Sequence, residues 1–92
     1  MESGDYDDKC ILAMDDIFAE LMSASSKFPP MASPHEGYAI ILEELDELKE
    51  ELFKQHHSRN PIALRKEAMQ VGAIALRFMV DCCGDTFGRE VE

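Results

Sequence analysis

Leu42-Glu43-Glu44-Leu45-Asp46-Glu47-Leu48-Lys49-Glu50-Glu51-Leu52 is the stretch on which the reading of this chain turns. Six acidic side chains and one lysine fall within the nine positions from Glu43 to Glu51. Ile41, Leu45, Leu48 and Leu52 recur at helical spacing, which makes the segment an amphipathic helix. At about 100° per residue, Glu44, Glu47 and Glu51 line the edge of the apolar face, Glu43 and Glu50 lie just behind them, and Asp46 points away. Like charges one turn apart repel. A carboxylate stripe bordering a core is destabilising unless a cation offsets it, and a divalent metal ion is the simplest such cation.

Working outward, Ser33 before Pro34 and Glu36 forms a capping box with proline at the first helical position, so this helix should run from Pro34 to about His56. Gly37 weakens it slightly and suits close approach by another helix. Upstream, Cys10, Met14, Ile17 and Leu21, widened by Ile11, Phe18 and Met22, predict a helix from Tyr6 to about Ala24. A loop holding Ser25-Ser26, Lys27-Phe28 and Pro29-Pro30 follows it. Downstream, His57-Ser58-Arg59-Asn60 is a short polar connection. Asn60 caps a third helix that opens with Pro61 and runs to about Cys82, stopping near Gly84. Its apolar face is Leu64, Val71, Ile74, Ala75, Phe78 and Cys82. Residues 1–5 and 85–92 read as frayed tails. No strand pattern or internal repeat is visible, so the fold class is all-α, with three main helices in a single domain.

The 92 residues carry a formal net charge of −10, which argues against direct binding to a nucleic-acid backbone. Hydrophobic residues make up 46% of the chain, ample for so small a domain, so some apolar surface is expected to be buried between subunits. The three cysteines, Cys10, Cys82 and Cys83, do not form a disulfide framework. With no basic, apolar leader and no membrane span in sight, a cytoplasmic setting is the simplest expectation. Cys82 and Cys83 read as one core thiol and one exposed thiol.

In the third helix Glu67 falls in the middle of the apolar face, a poor place for an unpaired carboxylate. Gln70 is three residues on and faces the same way. Glu44 and Glu47 have the same spacing on the second helix. Two antiparallel helices can bring these pairs together and offer four oxygen ligands to one or two hard cations.

Glu43-Glu44-x-x-Glu47, a gap of 19 residues, and Glu67-x-x-Gln70 resemble the signature of the MazG-like all-α nucleoside triphosphate pyrophosphohydrolases. The similarity spans Pro34 to Asp81, about half the chain. It implies Mg²⁺, with Mn²⁺ as a substitute, held by Glu44, Glu47, Glu67 and the residue at position 70. It also implies hydrolysis of an NTP or dNTP to the monophosphate and pyrophosphate, and a four-helix-bundle-type homodimer or a dimer of dimers. Position 70 departs from the family pattern, because glutamine replaces aspartate and removes one negative charge. The little chain left after the third helix is a second departure.

In such a site the metal lowers the pKa of a bound water, and a spare carboxylate takes its proton, Glu43 before Glu51. Lys54, Arg65, Lys66 and Arg77 are the candidate cations for phosphate charge. Phe28 serves either as a platform for a base or as an anchor for its loop. Two other readings remain open at this point. One is a helical nucleotide-binding or oligomerisation module that has lost turnover, with Gln70 as the scar. The other is a relative acting on a different phosphate compound.

Overall fold

Local chemistry sets where each helix starts. Ser33 Oγ accepts a hydrogen bond from the Glu36 amide at 3.1 Å, and Pro34 opens α2, Pro34–Leu52. Glu36 Oε1 accepts from the Ala32 amide at 3.1 Å, one residue upstream of the capping-box position. Asn60 Oδ1 accepts from the amides of Ile62 and Ala63 at 2.9 and 3.3 Å, and Pro61 opens α3, Pro61–Cys83. The first helix, α1, is Ser3–Lys27, with Asp5 in its first turn and Lys27 in its last, both favourable to the helix dipole. The computed structural model describes residues 3–54, 58 and 60–84, and among them these are the helices, with no strand.

Two boundaries differ from expectation. α1 is longer at both ends, and the Phe28 amide closes its last turn on the Ala24 carbonyl at 2.9 Å. α2 stops at Leu52, well short of His56. Phe53 leaves helical geometry at φ −91 and ψ 9, and its amide bonds back to the Lys49 carbonyl at 2.9 Å. Glu50 and Glu51 sit at the negative end of the helix dipole, which disfavours extension there. His56, His57 and Arg59, and residues 1–2 and 85–92, lie outside the described residues. Gly84 is right-handed, at φ −57 and ψ −29, so α3 ends without the left-handed glycine cap that the sequence suggests.

α3 is the central element: it packs against both α1 and α2, which do not pack on each other. Gly37 near the start of α2 faces Phe78 near the end of α3, so these two helices are antiparallel. A Cβ at Gly37 would lie 2.6 Å from Phe78 Cδ2, which explains the glycine there. On the other side, Ile17 of α1 meets Gly72, and Arg65 Nη2 pairs with Asp16 at 2.8 Å.

The buried apolar core is shallow: Leu21, Met31, Ala73 and Ile74. The line α2 turns toward α3 is Gly37, Ile40, Ile41, Glu44, Leu48 and Glu51, while Leu45 and Leu52 remain exposed. The helix is thus rotated from the leucine face read in sequence, and Glu44 and Glu51 move from its edge into the seam. On α1, Ile11, Met14, Phe18 and Met22 of the predicted stripe are exposed, as is Ala75 on α3. No helix among the described residues is long and apolar enough to cross a membrane.

Candidate metal centre

Glu44 and Glu47, three residues apart on α2, share a face. The antiparallel register brings Glu67 of α3 opposite them. One carboxylate oxygen from each of the three lies within 4.8 Å of the others. Glu44 and Glu67 are half-buried and Glu47 is exposed, so the cluster is open to solvent on the Glu47 side.

The electrostatics of this seam are unresolved by protein alone. Glu44 Oε2 and Glu67 Oε2 are buried and have no hydrogen-bond partner. The ion pairs among the described residues are Lys9–Asp5, Lys54–Glu51, Arg65–Asp16 and Arg77–Asp81, none of which involves the three glutamates. Burial pushes the Glu44 carboxyl from its ordinary 4.5 up to about 7, helped by its hydrogen bond with Glu47 and by the charges of Glu47, Glu67 and Glu43. At neutral pH Glu44 therefore holds a proton about half the time when no cation is present.

Three converging carboxylates, two of them with orphaned buried oxygens, fit a hard divalent cation. Magnesium takes oxygen ligands and leaves part of its shell to water or phosphate. Gln70 is half-buried one turn beyond Glu67, and its carbonyl is a neutral oxygen donor.

The other residues singled out in sequence are placed as follows. Glu43 is exposed beside the cluster. Glu51 is buried, and its Oε1 accepts a hydrogen bond from Lys54 Nζ at 3.1 Å. Phe28 is exposed just beyond the end of α1. Arg77 is buried at the far end of α3: its Nε lies 3.3 Å from Asp81 Oδ2, and its Nη2 donates to the Pro29 carbonyl. Asp81 Oδ2 also accepts from the Met31 amide at 2.9 Å. Arg77 and Asp81 together staple the connection between α1 and α2 to α3. The i,i+4 Arg–Asp spacing was the available sequence signal for this staple. Cys83 is exposed, as read from the sequence, whereas Cys82 is half-buried rather than a core thiol.

Fold and site together define an all-α protein with a carboxylate cluster between two antiparallel helices. Compared with protein-family models, with curated proteins and with solved structures, the chain matches none.

Proposed function

We propose that this chain is a Mg²⁺-dependent nucleoside triphosphate pyrophosphohydrolase of the MazG-like kind, acting as a homodimer or homotetramer. The observation that carries this reading is the convergence of Glu44, Glu47 and Glu67, with two buried oxygens that no protein group answers. Glu44, Glu47, Glu67 and Gln70 would hold the metal. When bound, it would neutralise phosphate charge and make a coordinated water acidic enough to attack at neutral pH. The rest falls to the chain. Glu43, exposed next to Glu44, accepts the proton of the attacking water as the new P–O bond forms and the α–β bridge breaks. Lys54, at the end of the stripe, supplies positive charge for the phosphates. Phe28 offers an exposed ring face to a base. Arg77 is committed to Asp81 and Pro29, so its contribution is to hold the loop that carries Phe28.

Oligomerisation is supported by the apolar side chains left uncovered, with Met14 65%, Phe18 56% and Leu45 42% exposed. Large exposed apolar side chains on both α1 and α2 fit burial against another subunit.

The neutral Gln70 supports a second reading, a helical module that binds nucleotide or oligomerises without turnover. Pyrophosphate release from a panel of ribo- and deoxyribonucleoside triphosphates, with and without Mg²⁺, separates the two. Metal-dependent release that disappears in Glu44→Ala and Glu67→Ala is the expected result. Nucleotide binding without release from any substrate, in folded protein, would favour the module.

A further inference from the structure

α1 meets α3 closely where Ile17 sits on Gly72: a Cβ added at Gly72 would lie 2.9 Å from Ile17 Cδ1. Beside that contact the two helices leave a cavity of about 150 Å³, lined by Ala13, Asp16 and Ile17 of α1 and by Arg65, Ala68 and Met69 of α3. Its walls are apolar side chains. Its charged groups are Asp16 and Arg65, joined at 2.8 Å and both half-exposed, which puts the ion pair at the mouth. Ala13 and Ala68 leave the space, since a leucine at either position would fill much of it. Protein interiors otherwise hold few voids larger than a water molecule. The buried apolar core of this chain is only Leu21, Met31, Ala73 and Ile74. A gap beside so small a core forfeits dispersion contacts that a larger side chain would restore, and a ligand restores them as well. The volume suits one six-membered ring. The mouth suits a polar ring edge: the Asp16 carboxylate accepts from a ring N–H or amino group, and the Arg65 guanidinium donates to a carbonyl or ring nitrogen.

The cavity is separate from the carboxylate cluster. At about 100° per residue, Arg65, Ala68 and Met69 lie a quarter-turn or more round α3 from Glu67. α1, which supplies the other wall, does not pack on α2. α3 therefore stands between the two sites, and a ring in this cavity belongs to a second ligand rather than to a nucleotide whose phosphates lie at the cluster. We propose that the α1–α3 cavity binds a single planar heteroaromatic ring with a donor–acceptor edge, of the pyrimidine kind, and that the ring clamps α1 to α3. The inference is independent of the metal-dependent reading above.

The test titrates the full chain, in EDTA, with uracil, cytosine and benzene, and follows the methyl signals of Ala13, Ile17, Ala68 and Met69 by NMR. Uracil or cytosine should shift these methyls saturably, with a Kd of about 0.1–1 mM, the range for so small a ligand. Benzene should bind at least about fivefold more weakly. Arg65→Met should weaken binding of the heterocycle about fivefold, the effect of one solvent-accessible hydrogen bond, and leave benzene unchanged. Ala68→Leu should abolish binding of every ring and, by filling the space, raise Tm by about 3–5 °C. No saturable shift with any of the three, or shifts that persist undiminished in Ala68→Leu, would overturn the site. Benzene binding as tightly as the heterocycles would overturn the ring class assigned to it. A lower Tm for Ala68→Leu would mean that there is no space to fill, and would overturn the cavity itself.

Discussion

Replacing Glu44 by glutamine should make the metal-free protein more stable, by an amount that grows as pH rises above about 4.5 and levels off above about 7. Gln has the shape of a protonated Glu but cannot ionise. Glu44 titrates near 7 in the folded protein against an ordinary 4.5, so the folded state binds its proton more tightly than the unfolded chain does. The stabilisation from that proton is complete below pH 4.5, declines as pH rises, and is gone above pH 7. At about 1.36 kcal/mol per pH unit, the gap sets an upper bound of about 3 kcal/mol on what ionised Glu44 costs at pH 8. Glu44 is half-buried and solvent reaches the cluster past Glu47, so we discount this to about 1–2 kcal/mol. For a domain of this size that corresponds to a rise in Tm of about 5–10 °C. The assay is thermal unfolding by circular dichroism in EDTA from pH 5 to 8, at fixed protein concentration. Glu44→Gln should match the wild type at pH 5 and exceed it at pH 8. Adding millimolar Mg²⁺ at pH 8 should raise the wild-type Tm by mass action and leave the variant nearly unmoved. No gain for the variant at pH 8, or the same gain at pH 5, would refute the electrostatic account of the seam.

Four further outcomes follow from the same geometry. The ionised fraction of Glu44 rises from about a tenth to about nine-tenths between pH 6 and pH 8, so apparent Mg²⁺ affinity by calorimetry should rise about tenfold over that range. Gln70→Asp restores a charged ligand and should tighten Mg²⁺ binding by about tenfold; unchanged affinity would place position 70 outside the ligand set. Gly37→Ala should destabilise by about 1–2 kcal/mol in denaturant titration, because the Phe78 ring has to shift, whereas Gly72→Ala should be neutral or stabilising by up to about 1 kcal/mol, since only the mobile Ile17 Cδ1 has to move. Arg77→Met leaves Asp81 buried without its charge partner and should destabilise by about 3 kcal/mol, yet Mg²⁺ affinity should hold, because the staple is at the far end of α3 from the cluster.

The helices were legible because their signals are local. Ser33-Pro34 and Asn60-Pro61 fix two starts through hydrogen bonds made within a few residues, and the structure shows those bonds. The end of α2 was less legible. Helical periodicity continues past Leu52, and the opposing term, acidic side chains at the negative end of a dipole, is small enough that only the backbone geometry of Phe53 decides it. The rotation of α2 was not legible at all. A leucine face at 41, 45, 48 and 52 is the natural choice for an isolated helix, but Gly37 lets Phe78 approach and turns a neighbouring line inward.

That rotation changes what the acidic stripe is. Had Leu45 and Leu52 faced α3, the glutamates would have bordered solvent, where water meets their charge and a carboxylate keeps its ordinary acidity. With Glu44 and Glu51 in the seam, the same residues displace apolar contacts from a core that has few to lose, and three oxygens are buried with nothing to bond. A fold held by so shallow a core gains nothing in stability from this arrangement. Neutralising the stripe at Glu44, with glutamine in its place, should therefore yield a more stable metal-free chain. Folding stability alone does not account for the acidic seam. The sequence held both halves of that argument, Glu67 on an apolar face and glutamates at the matching spacing, and lacked only the depth to which the second helix sinks them.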